Sequence, residues 1–255
     1  MMNRFEKIQA IRNLLANNKP SIGTWMQIPH ASIAEILGQA GYDWVAVDME
    51  HGAISYHQLP DLFRALELGG TLPLVRLADT EIKSCKHVLD AGAGGVIVPM
   101  IETAEQLRAI RNACCWPPSG SRGVGFSRAN LFGKHFEDYS KEAQNPLLVA
   151  MIEHLRAVEN LEEIIAVEGL DAILIGPNDL SASMGLTGNF SAPDFISIMD
   201  HINNLCRKAN IPCGVHVVTP NIKEIERLIK EGYLFLPYSI DAVFLNTYSL
   251  APKVN

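Results

Sequence analysis

Short apolar runs alternate along the chain with longer stretches whose apolar residues recur at helical spacing. The runs fall at residues 21–28, 44–50, 72–77, 95–100, 147–153, 171–175, 212–217 and 233–237. Helical spacing covers residues 4–17, 32–40, 59–68, 82–90, 103–113 and 157–167, a segment from near Leu180, and residues 192–209, 222–231 and 241–250. Glycines and prolines mark the joints, as at Gly41, Gly69-Gly70, Gly92 and Gly176-Pro177. Runs rich in Val, Ile and Leu without alternation read as parallel strands buried on both faces. Eight of them separated by helices, with no linker or shift in composition, predict a single (β/α)8 TIM barrel over residues 1–255. A doubly wound sheet is the alternative fold, but no glycine-rich dinucleotide turn follows the first run.

The rhythm breaks between Trp116 and Asn145, where no strand-sized apolar run occurs. Long connections in compact domains are usually functional or disordered. This one carries arginines and aromatics, and is read as an ordered active-site or interface loop.

Ionisable residues gather where the runs stop. The second run ends in Asp48-Met49-Glu50-His51-Gly52, the third in Arg76, the fifth in Glu153-His154. The sixth leads through Gly176-Pro177 to Asn178-Asp179, and the seventh contains His216. Barrel enzymes place their chemistry at the C-terminal ends of the strands, so these side chains share one mouth. Glu153 and Asp179, from neighbouring strands, suit a hard divalent cation bound through oxygen. Arg76 suits a carboxylate or a developing enolate oxygen, and a histidine near an aspartate suits proton transfer near neutral pH. Each residue also has a structural reading. Arg76 can pair with Glu50, Glu153 can cap the next helix, and Asp179 can be the N-cap of a helix from Leu180. His135, His154 and His216 fit ordinary polar or packing roles. No lysine ends a run, which disfavours Schiff-base chemistry.

Bulk properties narrow the partners. The 255 residues are 48% hydrophobic with a formal charge of −7, enough for one large core. No basic stripe appears, which argues against nucleic acid. No apolar stretch is long enough to cross a bilayer and no signal core opens the chain, so a cytoplasmic protein is expected. The five cysteines include no CxxC pair, which argues against structural zinc and a disulfide framework. Cys114-Cys115 reads as small residues ending a helix, with a metal or redox pair as the alternative.

Asp-x-Glu-His after the second run, Val-Arg ending the third, Ile-Glu ending the fifth and Gly-Pro-x-Asp-Leu-Ser after the sixth together resemble the HpcH/HpaI aldolase family. Gly120-Ser121-Arg122-Gly123-Val124-Gly125 with Arg128-Ala129 resembles a loop of the same family. The resemblance runs from about Gly23 to Pro237 and implies a barrel enzyme of the phosphoenolpyruvate/pyruvate superfamily. It implies a metal-dependent pyruvate aldolase that cleaves or forms 4-hydroxy-2-oxo acids, the partners being a small 2-oxo acid and an aldehyde. The cofactor implied is Mg²⁺ or Mn²⁺, with Co²⁺ as a further option, held by Glu153 and Asp179. By the same resemblance, Arg76 contacts the pyruvate oxygens and His51 is the acid/base group, oriented by Asp48. The pyruvate carboxylate falls to the backbone near Gly176, Pro177, Asn178 and Asp179, and Asp90 reaches a neighbouring subunit's site. The family implies a homo-oligomer, a hexamer, with the final helix packed on an adjacent subunit.

One position departs from the family pattern. Met151 stands where relatives carry glutamine two residues before the metal glutamate. Period-two alternation puts Met151 on the Glu153 side of its strand, facing the barrel interior and tuning substrate choice, with core filling as the plain alternative. A citrate-synthase-like or other enolate condensation, with or without metal, stays open as a second activity. A catalytically dead barrel serving as a scaffold is the non-enzymatic alternative.

Overall fold

The apolar runs are strands because helices cover them outside and each other's side chains cover them inside. In the computed structural model, which describes residues 3–252, the strands are β1 Ser21–Met26, β2 Trp44–Asp48, β3 Leu72–Arg76, β4 Gly95–Val98, β5 Leu147–Ile152, β6 Ala172–Ile175, β7 Cys213–Val215 and β8 Phe235–Ile240. All pair in parallel, in the order β7-β6-β5-β4-β3-β2-β1-β8. The two edges of this sheet also meet, through a parallel bridge between Val217 and Tyr238 and a 2.7 Å bond from the Leu234 N–H to the Cys213 carbonyl. Closure depends on Gly214, since a Cβ there would stand 1.7 Å from the Phe235 carbonyl oxygen. The expected (β/α)8 barrel is therefore formed, nearly closed and as one domain.

The helices are α1 Arg4–Ala16, α2 Ala31–Gln39, α3 Leu59–Leu68, α4 Ile82–Ala91, α5 Ala104–Cys114, α6 Phe136–Ala143, α7 Leu155–Glu159, α8 Leu161–Ile165, α9 Pro177–Ser183, α10 Pro193–Ala209, α11 Ile222–Lys230 and α12 Asp241–Tyr248. Alternate strand residues face inward, where Trp25, Trp44, Leu74, Val149, Met151, Leu174 and Phe235 form one buried cluster. Trp44 stacks on Phe235 with ring centroids 4.4 Å apart. Ile8, Ile11 and Leu15 of α1 join the same cluster, so α1 plugs the end of the barrel away from the mouth. The other strand face packs with α2 to α5 and α7 to α11 in the larger core, while Tyr139 and Ala143 of α6 pack with Trp116 and Ala129 in a separate cluster.

Three expectations change. The helix expected over 157–167 is two short helices, α7 and α8, hinged at Asn160, which caps the second. The helix expected from Leu180 begins at Pro177 with Gly176 as N-cap, because proline's fixed φ suits the first helical turn. Asp179 is thus in the first turn and is not the cap. The long 116–145 segment contains a 3₁₀ stretch, Arg128–Gly133, and α6. It follows α5, which runs back from the mouth, and it is tied to the far end of the barrel. Arg128 bonds the Ala91 carbonyl at 2.9 Å and Glu67 at 2.7 Å. Arg4 of α1 bonds Glu142 at 2.8 Å. An ordered loop is confirmed, but it lies at the opposite end of the barrel from this chain's own mouth.

Candidate active site

The mouth is organised around one guanidinium. Arg76, the last residue of β3, lies beside Asp48, the last of β2, in the register of the two strands. Its Nε donates to Asp48 Oδ1 at 2.8 Å and its Nη2 to Oδ2 at 2.7 Å, a two-pronged pair. Nη1 lies 2.8 Å from Glu50 Oε2, but off the line of a hydrogen bond, which leaves that oxygen without one. The Arg76–Glu50 pairing expected as a structural role is present, together with the stronger contact to Asp48. Arg76 also lies over the Trp25 ring, 5.4 Å from its centroid.

Asp48 is fully buried. Burial pushes its carboxyl up, but the Arg76 and Gln27 bonds outweigh that and hold it below the usual carboxylate range. Gln27, just past β1, donates to Oδ2 at 2.8 Å, and the N–H groups of Glu50 and His51 donate to Oδ1 at 3.1 and 3.3 Å. The expectation that Asp48 orients the His51 imidazole is corrected here. Both Asp48 oxygens are taken up by Arg76, Gln27 and backbone, so Asp48 fixes His51 through its main chain. The His51 side chain is exposed at the mouth.

Glu153, just past β5, is 2% exposed and accepts a 2.8 Å bond from the Met100 N–H to Oε2. Burial, with Glu50 and Asp179 nearby, pushes its carboxyl up to about 7 against the opposing pull of Met100 and Arg76. Met100 holds its amide there with φ 50°, a strained value for a bulky residue of the kind found at functional sites. Glu50 is likewise raised, by burial first and despite Arg76. Asp179 is exposed in the first turn of α9. Glu153 does not cap a helix; His154 does, its Nδ1 accepting the Arg156 N–H at 3.1 Å, which gives His154 the plain structural role expected of it.

Three carboxylates thus stand near one guanidinium, already matched by Asp48, and Asp179 acts on two of them, Glu50 and Glu153. The surplus negative charge on Glu50, Glu153 and Asp179 fits a divalent cation held through oxygen. No cluster of three or more His, Cys, Asp or Glu residues in ligand geometry occurs among the described residues, so a cation here would rest on two carboxylates, with substrate and water completing the shell.

Other expected residues lie elsewhere. Met151 faces the barrel interior as expected and is 4% exposed, while Ile152 faces the outer core. Asp90 sits at the end of α4, away from the mouth, 3.5 Å from Arg122 Nη1. It is no part of this chain's own site. The thiols of Cys114 and Cys115 are buried and free, in keeping with a packing role. Reasoning from sequence overlooked Gln27, Trp25 and the Met100 amide, since none is ionisable. His216, read as an ordinary polar or packing histidine, bonds the Ser239 carbonyl, a partner only the fold supplies.

Residues 21–246 match the model of the HpcH/HpaI aldolase/citrate lyase family. The chain belongs to this family. It is 36% identical over 234 residues to the 2-dehydro-3,6-dideoxy-6-sulfogluconate aldolase of Pseudomonas putida, covering 91% of each chain. It is 38% identical to a hydroxypyruvate/pyruvate aldolase of Agrobacterium fabrum, covering 90% of this chain and 86% of that one. Among solved structures, an HpcH/HpaI aldolase/citrate lyase family protein from Burkholderia cenocepacia superposes with a TM-score of 0.88 at 29% identity, over 94% and 96% of the two chains. This HpcH/HpaI chain is accordingly an enzyme of carbon–carbon bond chemistry, and the family is generally dependent on a divalent metal. The citrate-synthase-like alternative is represented by a structural neighbour at 26% identity with a TM-score of 0.80. The named relatives are aldolases, which weighs against the scaffold alternative. No helix among the described residues is long and apolar enough to cross a membrane.

Proposed function

We propose that this HpcH/HpaI chain is a divalent-metal-dependent aldolase that cleaves and forms 4-hydroxy-2-oxo acids through a pyruvate-type enolate. The observation that carries this reading is the surplus of carboxylates around Arg76, with Glu153 buried and raised to about 7. A 2-oxo acid and a cation relieve that surplus together, the cation matching the carboxylates and Arg76 facing the substrate anion. Glu153 and Asp179 are the proposed ligands, with Mg²⁺ or Mn²⁺ as the ion. When bound, the cation acts as a Lewis acid that withdraws electrons from the 2-oxo group.

The chain's own groups do the rest. Arg76, fixed by Asp48 and seated on Trp25, is held ready to match negative charge developing on the 2-oxo oxygen without rearranging. His51 stands exposed at the mouth, anchored through its backbone, and takes the proton of the 4-hydroxyl as the C3–C4 bond breaks. That cleavage leaves the electron pair on the 2-oxo acid fragment and releases the aldehyde. No side chain caps α9, so the Asn178 and Asp179 N–H groups face a substrate carboxylate after Gly176 and Pro177. Asp90, at the wrong end of its own barrel, acts on a neighbour's mouth in a homo-oligomer, which the family pattern makes a hexamer of a cytoplasmic protein. Leu245, 50% exposed, and Tyr248, 77% exposed, give α12 an apolar face for that packing.

The test is pyruvate release from a panel of 4-hydroxy-2-oxo acids, with added Mg²⁺ or Mn²⁺ and after chelation. Release that stops on chelation and returns with metal is expected. Equal release in both conditions would overturn the metal role, and no release from any member, with no exchange of the pyruvate methyl protons, would overturn the aldolase reading.

A further inference from the structure

The mouth has a second half of which the proposed chemistry uses only Trp25, as the seat of Arg76. Glu50, Glu153 and Arg76 lie toward β2 to β6. Across from them, β7, β8 and β1 bring up His216, Ser239, Thr24 and Trp25. These are built as one unit.

Its origin is an irregularity between β1 and β8. Gly23 pairs with Pro237, but Trp25 pairs with Ile240, so Tyr238 and Ser239 together face Thr24. Such bulges free a backbone group from the ladder and recur beside active sites. Ser239 sits in the bulge at φ 60°, and its carbonyl is freed for side chains. That carbonyl accepts from His216 Nε2 at 3.1 Å and from the Thr24 hydroxyl at 3.4 Å. The His216 ring lies against Trp25, with centroids 4.9 Å apart, and Trp25 in turn carries Arg76. A carbonyl only accepts, so the hydrogen of the His216 ring is on Nε2. The other nitrogen, Nδ1, then presents a lone pair. It has no partner among the described residues, and it is not among the buried polar atoms sealed from solvent. His216 follows Val215, the last residue of β7, which puts this acceptor at the mouth.

We infer that His216 is a specificity-determining residue whose Nδ1 accepts a hydrogen bond from a hydroxyl of the substrate, selecting hydroxylated carbon chains over their deoxy counterparts. The inference rests on the aldolase reading and deepens it. Burial holds the imidazole down to about 4, with Arg76 adding to the effect. The ring is therefore neutral at working pH, an acceptor and not a proton donor at Nδ1. Nδ1 is open to water until substrate fills the mouth, and a bound substrate that displaces this water without replacing its hydrogen bond pays about 1–3 kcal/mol. The hydroxyl can belong to the aldehyde or to the 2-oxo acid; the chemistry Nδ1 reads is the same.

Two substrate pairs distinguish these sources. With pyruvate as donor, glycolaldehyde is compared with acetaldehyde; with acetaldehyde as acceptor, hydroxypyruvate is compared with pyruvate. The quantity read is the ratio of kcat/KM within each pair. His216→Phe keeps an aromatic ring against Trp25 but removes the acceptor, and should lower the ratio in one pair by about tenfold or more. His216→Asn returns an amide oxygen near the Nδ1 position and should recover part of the preference. An unchanged ratio in both pairs for both variants overturns the inference, as does a wild-type enzyme without preference in either pair. Wild-type protein that neither exchanges pyruvate methyl protons nor joins any of these pairs overturns the aldolase reading itself, a distinct result.

Discussion

Gly176 and Glu153 touch: a Cβ at position 176 would stand 2.4 Å from Glu153 Oε1 and 2.7 Å from its Cγ. The glycine is therefore the space into which the carboxylate fits, between β6 and α9. Its φ of −96° is open to any residue, so the requirement is room and not backbone freedom. Gly176→Ala should displace the Glu153 carboxylate and weaken divalent-cation affinity by about 10- to 100-fold, the range seen when a ligand's support is lost. Titration calorimetry with Mn²⁺ measures it. Wild-type affinity in the variant would show that Glu153 is not a ligand, or that it relaxes freely.

Arg76 pairs with Asp48 through two parallel bonds while keeping Nη1 toward Glu50. Lysine carries the charge but cannot fill that fork. Arg76→Lys should lower the exchange of pyruvate methyl protons by about 10²–10³, the cost of losing a preorganised charge partner. Exchange is followed by NMR in deuterated buffer and needs no aldehyde. An undiminished rate would remove Arg76 from enolate stabilisation.

His216 links pH to stability. Its folded-state pKa of about 4 lies below the ordinary histidine value of 6.5. The unfolded chain therefore binds more protons between those values, and stability should fall as pH drops from 6.5 toward 4. The contribution is fully present above the unfolded value. His216→Phe should flatten this part of the denaturation profile, measured by urea midpoints across the window. A profile unchanged in slope would mean that the ring is protonated in the folded protein.

Asp90 and Glu153 belong to opposite ends of one barrel. If Asp90 serves a neighbour's mouth, then Asp90→Ala and Glu153→Ala should each be inactive alone. Mixed oligomers, refolded from both, should recover activity by pairing an intact Asp90 with an intact Glu153. Absence of recovery in mixtures proven by mass to be hybrid would confine Asp90 to its pair with Arg122.

Met151 lies inward below Glu153, walled by the barrel's apolar layer. Methionine there adapts its shape and offers no hydrogen bond, while glutamine would offer both donors and acceptors. Met151→Gln should leave metal-dependent methyl exchange within a few-fold and reorder the ranking of aldehyde partners. The same ranking in the variant would leave Met151 as packing alone.

The barrel was legible in the chain because the period of the apolar residues is a local property. Eight short, mainly apolar runs read as strands covered on both faces, and the helices between them favour a parallel sheet. The strand-end residues Asp48, Glu50, Arg76, Glu153 and Asp179 were legible for the same reason, since parallel order delivers every strand end to one mouth. What they do to each other was not. Two-pronged pairing of Arg76 with Asp48 follows from the β2–β3 register, and it turned Asp48 from a partner of the His51 ring into the anchor of Arg76. The raised carboxyl of Glu153 depends on burial contributed by residues far along the chain. The 116–145 segment read correctly as ordered, but only the direction of α5 decided that it lies at the far end of the barrel, beside α1. His216 needed a bulge between the first and last strands, residues brought together only when the barrel closes. Sequence spacing sets which residues share a strand or helix face; register, burial and closure set their protons, partners and charge, because those depend on atoms from distant parts of the chain.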